Sequence, residues 1–159
     1  MPRRPPRLPP LLAEFDDDER EAVLAANRAF YKAFNDRDAD AMERIWAPSG
    51  AMVCLHPGQA PLHERAEIMA SWRGILRHPD APRVRCSDEW TMGRGGLALV
   101  VCREILPTVQ LMATNSFVRL SDGWHLVGHH SGPVPSVERP RTATAAPPAQ
   151  PVRDRRKLH

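Results

Sequence analysis

Aromatic side chains are scarce in this sequence, at 6% of 159 residues with a single tyrosine, Tyr31. Hydrophobic residues still make up 42%, so a globular body with one sizeable core is expected. Cysteine is equally sparse. Cys54, Cys86 and Cys102 are too few for a disulfide framework and lack the paired spacing of a metal site. No run approaches the roughly 20 apolar residues needed to cross a bilayer. The arginines near Met1 are not followed by the apolar stretch of a secretory signal. These absences predict a cytoplasmic chain with reduced thiols and no membrane partner. No internal repeat is evident.

Proline is the residue in excess, and it is unevenly placed. Five of the 17 prolines lie within Pro2 to Pro10, and six more follow from Pro133 onward. Both segments lack apolar periodicity, so residues 1–13 and 133–159 are expected to be disordered or polyproline-like tails. The charge divides the same way. Residues 14–132 carry 13 basic and 17 acidic side chains, whereas the two tails carry nine basic and two acidic ones. The basic character therefore belongs to the tails, which read as solubilising extensions. An acidic body argues against nucleic acid as the main partner.

Within residues 14–132 the pattern is helical first and stranded later. Asp16-Asp17-Asp18-Glu19 opens a helix, with Asp18 and Glu21 as the expected capping box. Val23, Ala26, Phe30 and Phe34 then recur at helical steps, with Tyr31 at the edge of that face. Asp38 caps a shorter helix carrying Met42, Ile45 and Trp46, which Pro48 stops. Ala51 to His56 alternates as a strand, with Met52, Cys54 and His56 on one side. A third helix is expected from about Glu64 to Leu76, with Ile68, Trp72, Ile75 and Leu76 on one face. Four strand-like runs follow: Arg83 to Met92, Leu97 to Leu106, Val109 to Leu120 and Trp124 to Ser131. Ser121-Asp122-Gly123 is a strong hairpin signal between the last two. Helices followed by antiparallel strands predict an α+β fold, three N-terminal helices packed into a strongly curved antiparallel sheet in a cone-like α+β barrel. Three helices do not fill such a sheet, which leaves a cavity.

The residues Asn27…Phe30-Tyr31…Phe34, Trp46, Cys54-Leu55-His56-Pro57-Gly58, Ser71-Trp72, Ala113-Thr114-Asn115 and Gly123-Trp124…His129-His130-Ser131 carry a family resemblance. Over roughly residues 16–134 the chain resembles the nuclear transport factor 2-like superfamily, closest to its SnoaL-like group, which includes polyketide cyclases beside the ketosteroid isomerases. The ending is also similar to the association domain of calmodulin-dependent kinase, whose role is assembly, so the fold implies either an enzyme or an assembly module. Ketosteroid isomerases use an acidic base and a tyrosine–acid oxyanion hole. Tyr31 and the sheet carboxylate Glu104 do not fall on that pattern residue by residue, so steroid isomerisation is not implied.

Strand alternation puts Trp124, Leu126, Gly128 and His130 on one face and His125 and His129 on the other. His130 is thus expected to look inward, and with His56, which ends an apolar strand before Pro57-Gly58, to move protons near neutral pH. Asn115 shares a face with Ala113 and Phe117 and would orient a ligand or tether His130. Trp46 and Trp72 would wall the site, joined by Tyr31 and Glu104, although core packing alone explains both indoles. His125 and His129 would lie about 13 Å apart along a strand, too far to share one ion. No metal and no cofactor are expected. Cys54 and His56, near 7 Å apart between Cα atoms, are not expected to work as a nucleophilic pair. An apolar outer face, read as Val100, Cys102, Val118 and Leu120, calls for a homodimer, also the habit of the resembled family. The sequence thus predicts a small-molecule-binding domain that acts as an acid–base isomerase, dehydratase or cyclase, or else a non-catalytic binding or oligomerisation domain.

Overall fold

The computed structural model describes residues 15–134. The two proline-rich tails lie outside the described residues, except that Pro133 closes the last strand rather than opening a tail. The chain runs α1 (Asp17–Asp36), α2 (Ala39–Ile45), β1 (Val53–Leu55), α3 (Arg65–Arg77), β2 (Arg85–Arg94), β3 (Leu97–Ile105), β4 (Gln110–Leu120) and β5 (Gly123–Pro133). The five strands form one sheet in the order β1-β5-β4-β3-β2. All neighbours are antiparallel except β1 and β5, which run parallel. The architecture is α+β as expected, but β1 makes the sheet mixed, and β1 and β2 remain its edges. The barrel is therefore open.

Helix α1 starts two residues earlier than the expected Asp18–Glu21 capping box implies. Asp16 accepts from the Glu19 amide at 2.8 Å and Glu19 reaches back to the Asp16 amide at 3.3 Å, a reciprocal cap that uses Asp16 and Glu19 in place of Asp18 and Glu21. The earlier box wins because it leaves Asp17 and Asp18 inside the first turn, where the helix dipole favours negative charge. At the other end Arg37 takes a left-handed conformation, φ 57°, which turns the chain directly into the Asp38 cap of α2. The Arg37 guanidinium binds the carbonyls of His78, Pro79 and Ala81. Asn35 pairs with both backbone groups of Val84, at 2.8 and 2.9 Å. The end of α1 thus holds the whole link from α3 to β2. Arg65, at the start of α3, ties back to Glu43 and to the Ala47 carbonyl at 3.0 Å.

The core lies between the helices and the inner sheet face. Val23, Phe30, Met42, Trp46, Ile68, Val100, Phe117 and Leu126 are fully buried there, each contributing roughly 1.5–3 kcal/mol relative to exposure. Two bulges bend the sheet around them. On β2, Asp88 and Glu89 stand against a single residue of β3, and Asp88 takes φ 53°. On β5, Val127 is the extra residue, because Phe117 pairs with Leu126 while Ser116 pairs with Gly128. Such insertions bend a strand and re-aim the side chains beyond them.

The β5 bulge overturns one expectation directly. Alternation holds up to Leu126, but past Val127 the parity reverses, so His129 and Ser131 are buried and His130 is exposed. The expected outer face also needs correction. Val100 and Cys102 share the inner face of β3 with Glu104, and all three are buried. Val118 and Leu120 do lie on the outer face of β4, which is apolar mainly through Trp90, Met92, Leu97 and Leu99.

Candidate active site

Strand β1 ends at Leu55, and the chain turns at His56 before Pro57, with Gly58 at φ 73°. This turn sets the His56 ring against Trp72 of α3, ring centroids 4.8 Å apart. His56 Nε2 lies 2.8 Å from the Ser71 hydroxyl and 3.6 Å from Cys54 Sγ. The Cα spacing expected for Cys54 and His56 misses this contact because His56 has already left the strand. Burial pushes the Cys54 thiol up to about 12, so it stays protonated and does not make a nucleophilic pair.

His129 faces this group from β5. Its ring centroid is 5.1 Å from Phe30, 5.5 Å from Trp72 and 6.3 Å from His56. Nδ1 lies 2.7 Å from Asn115 Oδ1 on β4. An amide oxygen only accepts, so Nδ1 carries the proton and donates. Nε2, on the far edge of the ring, has no hydrogen-bond partner among the described residues. Burial pushes His129 down to about 3, with smaller repulsion from His56 and His130, so the ring is neutral at physiological pH. Burial lowers His56 as well.

Behind these rings sits a closed polar network. The Asn115 amide nitrogen donates to Asn27 Oδ1 at 2.7 Å and to the Tyr31 hydroxyl at 3.2 Å. Tyr31 donates to Glu104 Oε1 at 2.8 Å, and Ser131 donates to Glu104 Oε2. Cys102 Sγ lies 3.2 Å from the Tyr31 oxygen. Burial and the neighbouring carboxylate keep Tyr31 protonated well above its usual range. Burial raises Glu104, against the opposing pull of its bonds from Ser131 and Tyr31. Burying so many polar groups is tolerable only because their bonds are made.

One cavity of about 220 Å³ joins these parts. His56, Trp72, Tyr31, Glu104 and His129 all line it, together with Phe30, Phe34, Ile75, Val84, Leu106 and Leu111. Of the residues singled out in the sequence, His56, Trp72, Tyr31 and Glu104 are brought together. Asn115 is buried just behind the wall and tethers His129 in place of His130. Trp46 packs in the core and does not line the cavity. His130 is displaced to the outer face by the bulge. His129, Asn27, Ser71 and Ser131 were missed. For Asn27 the signal was its place on α1 one turn before Tyr31, a polar side chain on an otherwise apolar face. For His129 it was Gly128, since a glycine inside a strand pattern often marks a bulge. Among the described residues, no group of three or more His, Cys, Asp or Glu side chains could hold a metal ion.

A helical layer on a bulged, open sheet with a polar-based cavity between them is the architecture of the nuclear transport factor 2-like superfamily. Residues 23–135 match the SnoaL-like domain model, and the chain belongs to that family. Among solved structures it is similar to a Streptomyces avermitilis protein described as a candidate dehydratase of the nuclear transport factor 2-like family. The two share 29% identity over 76% of this chain and 99% of that one, with a TM-score of 0.70. It is also similar to a Thiobacillus denitrificans protein described as a candidate calcium/calmodulin-dependent protein kinase type II association domain. There the identity is 32% over 70% of this chain and 94% of that one, TM-score 0.62. Among curated proteins it matches the Arabidopsis thaliana F-box protein SKIP8, 25% identical over 112 residues, 69% of this chain. The match spans about half, 48%, of that relative. No helix among the described residues is long and apolar enough to cross a membrane.

Proposed function

We propose that this SnoaL-like domain binds a small, mostly apolar organic molecule bearing a hydroxyl group and performs acid–base chemistry on it. The observation that carries this reading is the meeting of Glu104, His56 and His129 on one cavity whose other walls, apart from Gln59, are hydrocarbon and aromatic. A few polar groups on an apolar wall are what orient a small ligand. The cavity's 220 Å³ compares with the about 150 Å³ that accommodates benzene in an apolar protein cavity, which sets the scale at one or two rings. Neutral His129 offers Nε2 as an acceptor for the ligand hydroxyl. Glu104, with its raised proton affinity, is the group suited to give or take a proton, and Tyr31 and Ser131 hold its two oxygens in place. His56 borders the same space and replaces no part of that pair. Dehydration or isomerisation fits this set, and the candidate dehydratase relative points the same way.

The test uses thermal unfolding with para-cresol and toluene as probes. A ligand at a hundred times its dissociation constant stabilises by about 2.7 kcal/mol, so para-cresol should raise the midpoint by several degrees and toluene by less. Leu106→Trp, which places an indole across the cavity wall, should abolish both shifts. Absence of any shift with either probe, together with a native mass spectrum free of a co-purified small molecule, would end the ligand reading.

A second reading rests on a separate observation. The outer sheet face exposes Leu97 at 62%, Trp90 at 59% and Met92 at 43%, around an apolar groove of about 320 Å³ that reaches Leu99, Phe117 and Val127. A second copy of the chain is the occupant suited to that face, giving a homodimer or larger assembly, in keeping with the association-domain relative. The two readings are compatible, since the cavity opens on the inner face.

A further inference from the structure

Outside the cavity, a surface carboxylate connects to its wall through an unbroken line of amides. Glu89 lies on the β2 bulge, its side chain 18% exposed, with Oε2 facing the Arg28 guanidinium at 3.4 Å. Its Oε1 accepts from Asn27 Nδ2 at 2.9 Å. Asn27 is fully buried, and its Oδ1 accepts from Asn115 Nδ2 at 2.7 Å. Asn115 is fully buried too, and its Oδ1 accepts from His129 Nδ1 at 2.7 Å.

The sense of this line is dictated from its outer end. A carboxylate only accepts, so Asn27 must turn its NH₂ toward Glu89 and its oxygen toward Asn115. Asn115 must then offer NH₂ to Asn27 and oxygen to His129, which leaves Nδ1 as the only place for the imidazole proton. Moving that proton to Nε2 would set two acceptors face to face at 2.7 Å. Flipping Asn115 or Asn27 to relieve the clash would only pass it along to Asn27 Oδ1 or to Glu89. The Tyr31 branch agrees, because its hydroxyl accepts from Asn115 and donates onward to Glu104.

We propose that Glu89 is a positioning residue that fixes the tautomer of His129 through Asn27 and Asn115, and so makes Nε2 a hydrogen-bond acceptor at the cavity wall. The consequence for ligand choice, a preference for hydroxyl or N–H donors, rests on the binding reading above. The tautomer itself does not, because it is a property of the empty protein.

The experiment is nitrogen-15 NMR of histidine-labelled full-length protein at neutral pH, with His129→Phe identifying the resonances of that ring. The wild type should show His129 with a protonated Nδ1 and an unprotonated Nε2, which resonate far apart. Glu89→Ala should shift the two nitrogens toward one another as the second tautomer becomes populated. Glu89→Gln, whose carbonyl can still accept from Asn27, should restore the wild-type pattern. A wild-type ring protonated at Nε2 overturns the proposal without any variant. So does a Glu89→Ala protein that folds and keeps the wild-type shifts. Loss of para-cresol binding with these shifts as expected would instead remove the ligand reading and leave the relay standing.

Discussion

His129 and His130 are neighbours in sequence with opposite environments, 4% exposed against a solvent-facing side chain. Asn115 is fully buried, so removing the inner histidine strands its Oδ1 without a partner, and His129→Phe should cost about 1–3 kcal/mol. His130→Ala should stay within about 0.5 kcal/mol, as for an ordinary surface change. Urea unfolding of the two variants checks the order, and equal effects would mean that the parity reversal is wrong. The same residue makes stability depend on pH. Its folded value near 3 lies below the ordinary 6.5, so between those values the unfolded chain binds the proton more readily. Stability is then fully present above about pH 6.5 and falls as the pH drops toward 3. Such a displacement corresponds to roughly 4–5 kcal/mol, a large share of a small domain's margin. His56 acts in the same direction. Glu104, raised by burial, acts in the opposite one, favouring the fold as it takes up a proton. His129→Phe should therefore be less stable at pH 7 yet lose less stability between pH 6.5 and 4.

At the scale of elements, the two bulges decide what reaches the cavity. The β2 bulge turns Glu89 toward α1 at the cost of a left-handed Asp88, a conformation worth about 1–2 kcal/mol of strain for a residue with a Cβ. Asp88→Gly should relieve that strain, offset in part by the loss of the exposed pair with Arg103. Asp88→Val should destabilise by about 1–2 kcal/mol and release Glu89 from Asn27, and it should then share the altered histidine shifts of Glu89→Ala. Denaturant melts with the nitrogen spectra check both effects. This is also where the sequence stops being legible. Helical spacing of Val23, Phe30, Ile68 and Trp72 identifies the helices, and two-residue alternation identifies β3 and β4, because both periods are imposed by backbone geometry. The inward set on β4, Ala113, Asn115 and Phe117, follows from that alternation alone. Past a bulge the period restarts, and nothing in the alternation of Trp124 to Ser131 says where. The result is one histidine placed on the wrong face, whereas His56, Trp72, Tyr31 and Glu104 do line one cavity. The parallel pairing of β1 with β5 was hidden for a different reason. It depends on contacts between residues some 75 positions apart, such as Cys54 with His129, which no local pattern encodes.

For the molecule as a whole, the two faces of the sheet have different tasks. The inner face is filled by the helices and the cavity. The outer one leaves Trp90, Met92, Leu97 and Leu99 in solvent, a cluster of large apolar side chains of the kind that marks an interaction surface. Association across that face would remove it from water, and a stable interface of ordinary size needs about 800 Å² from each partner, within reach of a sheet of this breadth. Leu97→Glu and Leu99→Lys place charges of opposite sign at the centre of the face without touching the inner core. Each alone should weaken association, because a buried unpaired charge costs several kcal/mol. Mixing the two variants should restore part of it, provided the copies meet so that residue 97 of one approaches residue 99 of the other. Sedimentation velocity at micromolar concentration reads the outcome directly. The wild type should sediment as a dimer or larger species and each single variant predominantly as a monomer with unchanged circular dichroism. A monomeric wild type would assign the exposed face to a different partner.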